Sequence, residues 1–178
     1  YKRYRESLDP AHWKESDALF LQEGFSKEGL EQIVTTNPAR KYMPEKIFEA
    51  KTVFDGDIFY VGNTKAVCVQ TNGHTPGHFC LYLPEEELMF AGDHILYDIT
   101  PNITAWMGVE DSLGDYLKNL DKIGKYPMQM TLPGHREISK PVKDRIEEIK
   151  RHHQIRLDGT KQIIKDHPGS NADEIAAE

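Results

Sequence analysis

The sequence predicts an α+β fold. Three observations carry that expectation: helical spacing over the first fifty residues, a change at residue 51 to short strand-like runs, and a return to helical spacing from Ser112 onward. Of the 178 residues, 38% are hydrophobic and 29% charged, the balance of a folded, water-facing chain rather than a disordered one. That length suits one domain with an appendage, divided here at 1–139 and 140–178.

Each element has a local reason. Asp9-Pro10 offers a side-chain cap and a first-turn proline, and Gly24 a stop, so a helix carrying Trp13, Leu19 and Phe20 is expected between them. Ser26 caps a second helix with Leu30, Ile33 and Val34 on one face, ending before Asn37-Pro38. Both are expected to cover a sheet. Strands are expected over 51–54, 57–61, 65–71, 78–83 and 88–90, runs rich in Val, Ile, Phe and Tyr and separated by Asp55-Gly56, Gly62-Asn63, Asn72-Gly73 and Pro84-Glu85. Tight turns between short strands predict an antiparallel meander.

From Ser112, Leu113, Leu117, Leu120 and Ile123 share a helical face that Gly124 closes, and 128–132 reads as one more strand. Pro141 opens a helix with Val142, Ile146, Ile149 and His153 on one face, which reaches Asp166 unless Gly159 breaks it. Ser170-x-x-Asp173 marks the start of another helix.

Composition excludes several functions. The longest apolar stretches, 58–61 and 66–69, fall far short of the roughly 18 residues of a membrane span. The opening Tyr1-Lys2-Arg3-Tyr4-Arg5-Glu6 runs into polar sequence without the apolar core of a secretion signal. Cys68 and Cys80 lie in strand-like runs with no disulfide or Cys-x-x-Cys pattern, so both are expected as buried small apolar groups in a cytoplasmic protein. The net charge of −7 is concentrated: residues 51–139 carry 6 Lys and Arg against 12 Asp and Glu, whereas 1–50 carry 8 against 9 and 140–178 carry 8 against 8. An acidic middle argues against nonspecific nucleic-acid binding, and because it also holds His74, His78 and His94 it suits divalent cations.

Three strand-end loops hold the candidate chemistry. In His74-Thr75-Pro76-Gly77-His78 the histidines have the spacing that would share a helix face, but Pro76 and Gly77 forbid a helix, so the segment is a loop. Ala91-Gly92-Asp93-His94 places a carboxylate at the end of a strand, and Leu132-Pro133-Gly134-His135 does the same for a histidine. Taken singly, each also reads as an ordinary turn. Together, a His, an Asp and a His at three strand ends point to a metal site.

With Asp55-Gly56-Asp57 and Thr71-Asn72-Gly73 ahead of them, these motifs in this order resemble the metallo-β-lactamase-fold hydrolase superfamily, over about residues 50 to 140. The tail resembles the start of the small winged-helix domain of its lactamase-beta-like branch. The resemblance implies an αββα sandwich, present here as its C-terminal half. It also implies two divalent metal ions, zinc above all, with His74 in the first site, Asp93 bridging both as the catalytic carboxylate, and His135 in the second. Thr75 and His78 would support these ligands from behind. The implied activity is hydrolysis of an ester, thioester, lactone or phosphodiester by a metal-bound hydroxide. Small-molecule esters and thioesters lead among the substrates. Tyr97, Trp106 and Met107, in the loop after Asp93, either line the substrate pocket or pack beneath that loop.

One motif departs from the family pattern. The upstream His-x-His-x-Asp-His, which supplies four more ligands, does not occur: His12 is isolated, and no two histidines have a single residue between them. The chain is therefore expected to be a C-terminal portion, inactive by itself, with an uncovered apolar sheet face that favours a homodimer or higher oligomer. The alternative is a noncatalytic protein of the same fold whose C-terminal helices bind a partner or nucleic acid. Lys150, Arg151, His152, His153 and Arg156 form a modest basic cluster there, offset by the acidic residues of the same tail.

Overall fold

A computed structural model describes residues 9–37, 41–42 and 49–178. The Tyr1–Glu6 opening and Pro38 lie outside the described residues. Two compact units are distinguished, one made of residues 1–52 and 156–178 and the other of residues 53–155. The sequence boundary at 139 falls inside the second of these.

In the first unit the caps act as expected. Helix α1 (Pro10–Gln22) begins where the Asp9 carboxylate accepts the Ala11 N–H at 2.8 Å, and α2 (Lys27–Thr36) begins where the Ser26 hydroxyl accepts the Gly29 N–H at 3.0 Å. These helices fall in the same compact unit as residues 156–178.

The second unit is built on a five-stranded sheet of order β1-β2-β3-β4-β5. Strands β1 (Ile58–Val61), β2 (Thr64–Gln70), β3 (Phe79–Leu83) and β4 (Leu88–Gly92) form the antiparallel meander, and β5 (Met130–Pro133) pairs with β4 in parallel. Residues 51–54, expected as a strand, take no sheet partner. The Phe54 N–H is instead drawn back to the Asp57 carboxylate at 2.8 Å in the Asp55-Gly56 turn.

Strand alternation sends Val69, Cys80, Tyr82, Met89 and Ala91 into one core, closed by α3 (Ser112–Ile123) and the first half of α4 (Val142–Asp166). From α4 come Val142, Ile146 and Ile149, with His153 also buried, on the face that periodicity marks. On α3 the deep position belongs to Tyr116, with Leu120 and Ile123, while Leu113 and Leu117 are only partly buried. Each fully buried large apolar side chain contributes about 1.5–3 kcal/mol, so this shared core ties the helices to the sheet.

Helix α4 continues through Gly159, which is exposed, where a helical glycine costs only about 1 kcal/mol. The last helix, α5 (Ala172–Ala177), is capped by Asn171 rather than Ser170, in a reciprocal pairing with Glu174. On the sheet face away from α3 and α4, Phe90 and Met130 are exposed, and edge strand β1 is exposed at all four residues, on both of its faces. No helix among the described residues is long and apolar enough to cross a membrane.

Candidate metal centre

Topology brings the three candidate ligands to one edge. Because β5 runs parallel to β4, both strands end on the same side, and the pairing of Gly92 with Pro133 sets Asp93 beside Gly134-His135. The Gly134 N–H donates to the Gly92 carbonyl at 2.8 Å, stitching the two loops together. Both glycines are required by space. A Cβ on Gly92, whose φ is +52°, would stand 2.8 Å from His78 Nε2, and one on Gly134 would stand 2.7 Å from Asp93 Oδ1. Arg136, next to His135, has a left-handed φ of +62°, a conformation a non-glycine residue adopts at some cost.

His74, in the loop between β2 and β3, completes the group. Its Nε2 lies 3.5 Å from Asp93 Oδ2, and His135 Nε2 lies 3.4 Å from Asp93 Oδ1. A carbonyl can only accept, so the 2.7 Å contact with the Asn102 carbonyl puts the His74 proton on Nδ1 and, in the neutral ring, leaves Nε2 bare toward Asp93. A lone pair and a carboxylate oxygen facing one another repel unless a metal ion or a second ring proton lies between them. Tetrahedral zinc with bonds of ~2.0–2.1 Å holds neighbouring donors about 3.3–3.4 Å apart, close to both observed separations. The donor types and tautomer therefore fit a metal. The set is incomplete: among the described residues no group of three or more His, Cys, Asp or Glu side chains is placed to hold one ion. Each oxygen of Asp93 faces a different histidine, giving two half-sites of two donors.

Behind the carboxylate, His78 accepts the Asp93 N–H on Nε2 at 3.2 Å, and its Nδ1 lies 2.7 Å from the Thr71 hydroxyl. Burial pulls the His78 imidazole below its ordinary pKa, and the neighbouring His74 acts the same way. Thr75 participates through its backbone, its carbonyl accepting the His78 N–H at 3.3 Å. His94 is fully buried against the rings of His78 and Tyr116, and burial pushes its pKa down to about 3.

Of the three residues expected either to line a pocket or to pack beneath the loop, Trp106 lies beside His74, its indole N–H donating to the His74 carbonyl at 3.1 Å. Tyr97 packs in the core, the second of the two expected placements, with its hydroxyl bonded to Thr131 of β5. Met107 is half-buried. Sequence reasoning missed Thr71, Asn102 and Cys80 as parts of the site's support. Thr71 borders the histidine loop and could have been flagged there, whereas nothing local marks Asn102.

A sequence profile of the metallo-beta-lactamase superfamily matches residues 3–135. The chain belongs to this superfamily. The match begins well before the motifs between residues 50 and 140. Among solved structures, a metallo-beta-lactamase family protein from Thermus thermophilus superposes with a TM-score of 0.80 at 27% identity, over 97% of this chain and 55% of that one. A lactamase-like protein of Aspergillus fumigatus is 26% identical over 76% of this chain and 40% of its own length. An atrochrysone carboxyl ACP thioesterase of the same species is 32% identical over 63% of this chain and 33% of its own. This superfamily chain thus spans less than half the length of these curated relatives.

Proposed function

We propose that this chain carries one part of the metal centre of a hydrolase acting on small-molecule esters or thioesters. The observation behind this reading is the Asp93 carboxylate shared between the Nε2 atoms of His74 and His135. His74, Asp93 and His135 would hold the metal, zinc being the ion whose geometry suits them. A divalent ion there supplies Lewis acidity and a water of lowered pKa. The chain's own part is to orient: Asn102 sets the His74 tautomer, Trp106 holds the His74 backbone, and His78 holds the Asp93 amide. Among the substrate classes, thioesters are favoured by likeness to a relative named as a thioesterase. With only two donors per half-site, where catalytic zinc ordinarily has three protein ligands, the chain alone is expected to bind metal weakly and to be inactive.

Metal analysis and thioester hydrolysis by the purified chain test this, alongside a longer polypeptide that adds a His-x-His-x-Asp-His segment. Weak binding without turnover by the chain, and metal-dependent hydrolysis by the longer form that Asp93→Asn abolishes, are the expected results. Two tightly held ions or turnover in the chain alone would overturn its inactivity. A metal-loaded longer form without hydrolytic activity would overturn the hydrolase reading.

A further inference from the structure

The turn that aims Asp93 is held at both ends by a line of hydrogen bonds whose proton positions follow from donor and acceptor chemistry. At one end the Asp93 amide can only donate, so His78 Nε2, 3.2 Å away, is the bare nitrogen of the ring. The neutral imidazole then carries its proton on Nδ1 and donates it to Thr71 Oγ1 at 2.7 Å. With that lone pair engaged, the Thr71 hydroxyl proton is directed to Cys80 Sγ at 3.4 Å, and the Cys80 thiol donates to the Ala91 carbonyl at 3.5 Å. The line therefore starts at Asp93 N–H and ends at Ala91 C=O, spanning Gly92, over which the His78 ring sits.

Thr71 is the residue on which this depends. It is fully buried, directly follows β2, and stands opposite the ring from the Asp93 amide. If its oxygen did not receive the Nδ1 proton, the alternative tautomer would place N–H against N–H at Asp93 and push that backbone away. A displacement at this turn carries the carboxylate off the line between His74 and His135.

We propose that Thr71 is a positioning residue for the metal centre: by holding His78 in the Nδ1–H tautomer it keeps Nε2 open to the Asp93 amide and so aims the Asp93 carboxylate. The inference rests on the reading of Asp93 as a metal ligand. It adds to that reading a buried residue whose hydroxyl pairs with His78 and Cys80 and not with the three proposed ligands, with that hydroxyl rather than its volume as the active feature.

The test is NMR of the 178-residue chain with 15N-labelled histidine, comparing the natural sequence with Thr71→Val and Thr71→Ser, each then titrated with Zn2+. In the natural chain His78 should show a bare Nε2 and a protonated Nδ1. Thr71→Val, which keeps the volume and removes the hydroxyl, should mix the tautomers, shift the Asp93 amide signal and weaken the Zn2+ response of His74 and His135 by about 10-fold or more. Thr71→Ser should restore all three. Urea unfolding of each variant shows that the readouts come from folded protein, and should Thr71→Val fail to fold, the natural chain's tautomer and Thr71→Ser still decide.

A natural chain with the proton on Nε2, or a folded Thr71→Val with unchanged tautomer and Asp93 amide, overturns the proposal. A tautomer that responds to Thr71 as expected, in a chain whose His74 and His135 signals ignore Zn2+ at every concentration, supports the relay and overturns the metal reading instead.

Discussion

The Arg145 Nε–H donates to the Leu96 carbonyl at 2.6 Å, from a side chain almost wholly buried beneath the loop that follows Asp93. The same guanidinium donates to the Ile99 carbonyl at 2.9 Å and pairs with Glu148 at 3.1 Å. One residue of α4 therefore pins two turns of the segment that leads on to Asn102, the acceptor for His74. Removing this buried cation leaves the carbonyls it served without their donor and costs about 1–3 kcal/mol, the partly exposed Glu148 being able to turn to solvent. Arg145→Leu is expected to lower unfolding stability in urea by that amount. Arg145→Lys should recover less than half of the loss, because an ammonium cannot reproduce the planar fork.

Cys80 supplies a pH dependence on the alkaline side. Burial raises its thiol to about 11, against the opposing effects of the Thr71 hydrogen bond and Lys122. In the unfolded chain the thiol ionises near its ordinary value of 9.0, so between these values the unfolded state loses a proton that the native state keeps. Stability from this group is whole below about pH 9 and declines as pH rises toward 11. Urea unfolding at about pH 10.5 should show about 2 kcal/mol less stability relative to about pH 8, a difference that shrinks in Cys80→Ala. Neither buried cysteine should react with a thiol reagent at about pH 8 without denaturant.

Trp106 offers an optical report on the site. Its indole N–H is bonded to the His74 carbonyl, and the other tryptophan, Trp13, lies in the other compact unit. In a Trp13→Phe background, Co2+ should quench the remaining emission in a saturable way. Asp93→Asn in the same background should remove the saturable phase, and quenching that persists unchanged would argue against metal binding beside His74.

Tyr116 links the core to the turn after Asp93. It is fully buried, and its hydroxyl donates to the His94 carbonyl at 2.8 Å. Tyr116→Phe keeps the ring and removes the donor, which should cost about 1–2 kcal/mol in thermal or urea unfolding. Tyr116→Ala removes the ring as well and should cost about 3–5 kcal/mol.

Local chemistry made much of the architecture legible. Asp9, Ser26 and Gly124 mark helix ends through bonds to residues at most four positions away, and Gly62-Asn63 joins β1 to β2 by a turn that needs no distant partner. The buried face of α4 followed from helical periodicity, because a helix repeats its facing whatever it packs against. The ligand candidates were legible as types and as strand-end positions.

By itself, then, the sequence determined most of the helices and strands, which residue types stand at the three loop ends, and that no His-x-His-x-Asp-His accompanies them, though not that residues 51–54 stay outside the sheet. Only the tertiary structure decided that β5 pairs with β4 in parallel, which sets His135 beside Asp93 across a long stretch of chain. It likewise decided that Asn102 serves His74, that Tyr97 belongs to the core, and that Tyr116 is the deep residue of α3. The physical reason is common to all four: caps, turns and periodicity are settled between near neighbours, whereas partners distant in sequence meet only once a shared core has fixed the register of strands and helices.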